Sequence, residues 1–204
     1  MSTKDNILKA AENEFIEKGY EDSSLRNIAK MSGVTTGAIY GYFKDKDELY
    51  ETIARKELNH LLTLYNNLND YIGDMKEMIK ILDKFSSDEK VQKFLIEQSL
   101  YNYKLMYENR DLFIFLFLKS GNERNKKYLD EFIELDYQES LKIIEIKKGV
   151  SADKYTKVVL KSFIKHTIGA MLELISHIED FEEARPYLEI YIRIYITSYI
   201  QLLK

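Results

Sequence analysis

The chain has 204 residues, is 45% hydrophobic and 31% charged, and carries a formal net charge of −4. That apolar share excludes a wholly disordered chain, and the lack of cysteine excludes disulfides, thiolate nucleophiles and cysteine-held zinc. Eight glycines and one proline favour long helices over a many-turned sandwich or barrel.

The longest apolar run, Leu112 to Leu118, is too short to span a bilayer. The polar start Met1-Ser2-Thr3-Lys4-Asp5 has no signal-peptide pattern, so a soluble, cytoplasmic protein with no membrane partner is expected. The charge is uneven. From Ser23 to Lys46, Arg26, Lys30, Lys44 and Lys46 stand against Asp45 alone, a net +3, which leaves −7 on the rest. A basic patch on an acidic body fits a phosphate-binding surface; it also fits an ordinary solvated face.

In chain order, Ile7, Leu8, Ala11 and Phe15 place a helix over about Thr3 to Lys18, with Thr3 as N-cap and Gly19 closing it. Ser23 or Ser24 caps a short helix to Met31, and Ser32-Gly33 forms a tight turn. Thr35 or Thr36 caps another helix, ending near Phe43. Asp45 opens a fourth, with Glu48 as a capping-box partner. The stripe Leu49, Ile53, Leu58, Leu61, Tyr65 and Leu68 runs on to the asparagines at 66–69, where fraying is expected. Ile72, Met75, Ile79 and Leu82 mark a further helix, and Ser87-Asp88 caps the next. A short apolar helix spans Asp111 to Lys119 and ends at Ser120-Gly121. Another runs from Glu123 to Lys147, stopping at Gly149. Ser151 caps one reaching His177, and Pro186 falls in the first turn of the last. The fold is therefore all-α, with about nine helices and no strand-period segment.

Two short helices around a glycine turn make a helix-turn-helix unit, in which Val34, Ile39 and Phe43 would hold the second helix on the first. The stretch Gly33-Val34-Thr35-Thr36-Gly37-Ala38-Ile39-Tyr40-Gly41-Tyr42-Phe43-Lys44-Asp45-Lys46-Asp47-Glu48-Leu49 resembles the DNA-binding signature of the TetR family of transcriptional repressors. Ile7-Leu8, Ala10-Ala11, Phe15, Gly19-Tyr20 and Ser24-Leu25-Arg26-Asn27-Ile28-Ala29 match earlier positions of the same domain. The likeness is close over about the first 50 residues; beyond them it extends only to length and helical character. It implies a three-helix head over residues 1–46 and a larger helical effector-binding and dimerisation domain over 47–204.

The resemblance implies operator contacts by Thr36, Gly37, Tyr40, Tyr42 and Lys46. The chemistry of Arg26, Thr35 and Lys44 adds candidate phosphate or base-edge contacts. For the two tyrosines the competing reading is that they pack the head. Gly41 departs from relatives with a large side chain there, which weakens the short helix and moves readout onto Thr35, Thr36 and Tyr40.

An enzyme is not expected. Glu57 and His60 form a single Glu-x-x-His pair where a dimetal bundle site needs two, and no phosphate loop or nucleophile elbow occurs. No cofactor or metal is expected. His166 and His177 share a helix face about 16 Å apart, too far for one metal. With Glu173 between them they line a cavity, or sit at a subunit seam, or lie on the surface. Phe94, Gln98, Tyr101, Phe117, Phe163, His166 and Glu173 are candidate ligand-lining residues for a small apolar or aromatic effector. For the aromatics among them the competing fate is ordinary core. The last helix is apolar nearly all round. With the helix before it, it forms either a homodimer interface on Ile175, Leu188, Ile192, Tyr195 and Tyr199 or, as a central helix, part of the monomer's own core.

The expected function is a ligand-responsive repressor that binds a pseudo-palindromic operator as a dimer. The alternative is a constitutive helix-turn-helix protein that binds DNA or docks a partner without an effector.

Overall fold

The computed structural model describes residues 2–70, 75–118 and 123–204. Among them lie ten α-helices and no strand: α1 (Thr3–Asp22), α2 (Leu25–Ser32), α3 (Thr36–Tyr40), α4 (Lys46–Asp70), α5 (Met75–Lys84), α6 (Glu89–Glu108), α7 (Arg110–Phe113), α8 (Glu123–Lys148), α9 (Lys154–His177) and α10 (Phe181–Leu203). A π-helical turn, Ile114–Leu118, follows α7 directly. The all-α class expected from the sequence is observed. The expected stops at Ser120-Gly121 and the expected helix residue Ile72 lie outside the described residues.

Caps explain most helix ends. Ser2, not Thr3, caps α1: its hydroxyl accepts the Asp5 N–H at 3.2 Å while the Asp5 carboxylate accepts the Ser2 N–H at 2.8 Å. Gly19, at φ +74°, breaks the regular helix where the sequence placed its end, although a last turn continues to Asp22. Asp153, not Ser151, caps α9 by accepting from Tyr155 and Thr156. Asp180 caps α10 through the Glu183 N–H. That earlier start puts Pro186 in the second turn, where no N–H can reach the Glu182 carbonyl. Helix α4 runs to Asp70.

The chain divides into two compact units. One comprises Met1–Leu64 with Asp111–Leu129, the other Tyr65–Arg110 with Asp130–Lys204. The boundary expected between residues 46 and 47 falls inside the first unit, within which α4 continues to Leu64.

In the first unit, α1 packs on α2 and on the π-turn. Its core holds Ile7, Phe15, Ile28, Ile39, Leu49, Tyr50 and Phe115, all essentially shielded from water. The Tyr50 ring meets Phe15 and Tyr20 edge-on at 5.1 Å, and Phe115 at 5.4 Å. Its hydroxyl donates to the Asn125 side-chain oxygen at 2.8 Å, and the Asn125 amide donates to the Phe115 carbonyl at 2.9 Å. In the second unit, α10 packs on α6 and α9 around Leu160, Ile164, Ile175 and Leu188. Arg110 donates to the Ile175 and Ser176 carbonyls, satisfying the C-terminal end of α9.

Candidate nucleic-acid interface and internal cavity

The head is tied together by a carboxylate that sequence reasoning passed over. Glu14 of α1 is only 1% exposed. It accepts the Ser24 N–H at 3.2 Å, the Asn27 amide, and the Lys18 ammonium at 3.1 Å, and so anchors the start of α2. Burial pushes its pKa up, but the bonds from Asn27, Lys18 and Ser24 together outweigh burial and hold it below the ordinary value of 4.5. A carboxylate with a lowered folded-state pKa adds stability that is fully present above its unfolded value. That stability is lost as pH falls through the folded value. Glu14→Gln is therefore expected to cost about 1–3 kcal/mol at neutral pH. It should also flatten the decline of the melting midpoint below about pH 4.5. Thermal melts of both proteins from pH 7 to pH 3 check this.

The turn between α2 and α3 depends on Gly33, at φ +71°, a left-handed conformation that closes α2 with its N–H on the Lys30 carbonyl. Thr35 caps α3, its hydroxyl accepting the Ala38 N–H at 3.1 Å. Helix α3 stops at Tyr40 rather than near Phe43. Gly41 disfavours the helix, and residues 41–43 close with turn bonds to Ala38 and Ile39. At Gly41 an added Cβ would stand 3.3 Å from the Ala38 carbonyl. Ile39 and Phe43 are buried as expected.

Tyr40 and Tyr42 do not pack the head. They are 55% and 46% exposed, so their rings and phenol tips face solvent. Arg26, Thr35, Gly37 and Lys44 are exposed too, and Thr36 is half-buried. Lys46 is half-buried and engaged: its ammonium donates to the Ser23 carbonyl at 2.7 Å and stands 4.5 Å over the Tyr20 ring. The Tyr20 hydroxyl donates to Asp47. The capping pair before α4 forms as Glu48 N–H to Asp45 at 2.8 Å and Lys44 N–H to the Glu48 carboxylate at 2.6 Å.

Residues 7–53, from the core of α1 into α4, match the family model for bacterial regulatory proteins of the tetR family. The head of the chain matches the TetR family. Among curated relatives, an HTH-type transcriptional regulator of Staphylococcus aureus is 26% identical over 80% of this chain and 94% of its own length. The HTH-type transcriptional repressor BepR of Brucella suis is 32% identical over 44% of this chain and 46% of its own. Among solved structures, the fatty acid degradation regulator FadR of Bacillus halodurans shares the fold. Its TM-score is 0.57 at 19% identity, covering 98% of this chain and 97% of that one. The chain is a DNA-binding transcriptional regulator, and the relatives it matches are regulators rather than enzymes. No described helix is long and apolar enough to cross a membrane.

The second unit holds a partly open cavity of about 340 Å³. Phe94 and Gln98 lie on its wall as expected. Tyr101, Phe163, His166 and Glu173 do not border it, and Phe117 lies in the other unit, buried against Phe113. Tyr101, His166 and Glu173 point to solvent, and Phe163 stands behind the wall, stacked on Tyr195 at 5.3 Å. Both His166 and His177 are exposed, their Nδ1–H groups directed at the carbonyls of Ser162 and Glu173 four residues back. The expected interface residues Leu188, Ile192 and Tyr199 are buried within the unit because α10 turns that side toward α6 and α9, and Ile175 of α9 is buried there too. Tyr195, Tyr199 and Ile192 are cavity wall. What α10 leaves outside is Tyr187, Ile190 and Ile194.

The groups that sequence reading missed in the cavity are Asp136 and Glu139. A signal was present: Phe132, Asp136, Glu139, Ser140 and Ile143 all line the cavity at helical spacing, so a carboxylate sits within an inward stripe of α8.

Proposed function

We propose that the chain is a ligand-responsive repressor that binds a pseudo-palindromic operator as a homodimer, with an effector held in the second unit. The observation that carries this reading is the partly open, mostly apolar cavity with a few polar groups in its wall, the form that small-molecule sites take. A solid core would favour the constitutive alternative instead. The exposed tyrosines and basic groups of the head support contact with successive major grooves, about 34 Å apart or a multiple of that. An effector acts by binding the DNA-incompetent conformation more tightly and shifting the population toward it. Self-association is supported by the apolar strip Tyr187, Ile190 and Ile194, which recurs at one helical face.

The test is selection of bound duplexes from random DNA, followed by titration of the best duplex at several salt concentrations. Arg26→Ala and Lys44→Ala are each expected to weaken specific and random DNA alike and to lower the salt slope by about one unit. Lys46→Ala should do the same and also lower the melting midpoint, since it removes the tie to the Ser23 carbonyl. Unchanged slopes would remove the phosphate contacts from the reading.

A further inference from the structure

The wall of the cavity is chemically one-sided. Asp136 and Glu139 bring two carboxylates, while the described wall includes no lysine, arginine or histidine. Asp136 projects from α8 among tyrosines of three other helices: Tyr65 of α4, Tyr103 of α6, and Tyr195 and Tyr199 of α10. The Tyr65 hydroxyl donates to its carboxylate at 2.6 Å. Burial holds Asp136 above the usual carboxylate range, the Tyr65 bond offsetting only part of that rise. Burial thus favours the neutral acid in the empty cavity, and with no basic side chain in the wall a bound cation would draw Asp136 to its charged form and pair with it.

The aromatic groups favour the same sign of ligand. Ring faces attract cations electrostatically, most strongly when both are out of water. Tyr195 is stacked between Phe163 at 5.3 Å and Tyr199 at 6.1 Å, which fixes its orientation before any ligand arrives. The Tyr199 hydroxyl is committed to the Ser140 carbonyl at 3.1 Å. The rest of the wall is hydrocarbon and thioether, including Ile81, Met78, Met106 and Met171. Methionines adapt to irregular apolar shapes. An anionic head group would meet two carboxylates there and no basic side chain.

We propose that the cavity takes an apolar molecule bearing one positive charge, its cationic head beside Asp136 within the cage of Tyr65, Tyr103, Tyr195 and Tyr199. This rests on the ligand-responsive reading above and names its ligand class.

The test is calorimetric titration of the full chain with decyltrimethylammonium and with decanoate, each below its micellar concentration. The two share a flexible tail and differ in the sign of the head. The cation is expected to bind about tenfold or more tightly than the anion. Asp136→Asn should weaken the cation about tenfold or more while leaving decanoate unweakened. Tyr103→Leu should also weaken the cation selectively, which keeps the test open if Asp136→Asn fails to fold. Tighter binding of decanoate, cation affinity indifferent to both substitutions, or binding of neither compound would overturn the proposal. DNA release is scored separately. If the cation binds but leaves the DNA complex intact, the cavity assignment stands and the regulatory reading falls. If decanoate alone binds and releases DNA, the reverse holds.

Discussion

Tyr50→Ala is expected to destabilise the first unit by about 3–5 kcal/mol, the cost of emptying a large aromatic from a closed core. Tyr50 is fully buried and makes ring contacts with Phe15, Tyr20 and Phe115. Truncation also strips the buried Asn125 oxygen of the donor at 2.8 Å, leaving a polar group desolvated without return. Tyr50→Phe isolates that second effect, since it keeps the ring, and should cost about 1–3 kcal/mol. Denaturant unfolding of the two variants separates packing from hydrogen bonding. Equal losses would mean that the ring contacts contribute little. A loss for Tyr50→Phe near zero would mean that water or another donor satisfies Asn125.

Ile190→Glu combined with Ile194→Glu is expected to convert the protein to a folded monomer. Both side chains are well exposed, at 60% and 58%, so charge there meets solvent in the isolated chain and costs little. In a dimer built on that strip, four carboxylates would be forced together out of water. Sedimentation at micromolar concentration reads the change directly. Affinity for a two-half-site duplex should fall about 100-fold or more, because the second head no longer binds at high effective concentration. Affinity for a single half-site should hold. A wild-type protein that sediments as a monomer would overturn both the strip and the two-groove geometry.

Local rules made the helices legible, and tertiary geometry withheld the faces. Gly33, Thr35 and Asp88 act over a few residues, and each does what its chemistry suggested: a left-handed turn, an N-cap on Ala38, and an N-cap on Lys90 and Val91. At α9 the sequence pointed to Ser151, yet Asp153 two residues on is the cap, because the helix starts later than composition suggests. The exposure of Tyr40 and Tyr42 was undecided until Ile39 and Phe43 were seen filling the interior between them.

Helix α10 shows the limit more sharply. It is apolar nearly all round, and period alone does not say which side meets the unit's own core. Ile192, Tyr195 and Tyr199 proved to face a cavity, while Ile190 and Ile194 face out. His166 and His177 drew attention because histidine is chemically versatile, yet both lie on the surface. Asp136 escaped attention because one carboxylate in a charged helix has no distinguishing signature until its neighbours from α4, α6 and α10 are known.

The clustering of tyrosines around Asp136 has an optical consequence. The chain has sixteen tyrosines and no tryptophan, so its ultraviolet emission comes from phenol rings alone. A phenol hydrogen-bonded to a carboxylate is a dim emitter, because the excited ring loses its proton readily to the acceptor. Tyr65 is held in that state by Asp136. A molecule that takes the carboxylate for itself would break the bond and brighten Tyr65, while its own body altered the surroundings of Tyr103, Tyr195 and Tyr199. Occupancy of the cavity would thus be written into the native emission of the protein, with no label attached.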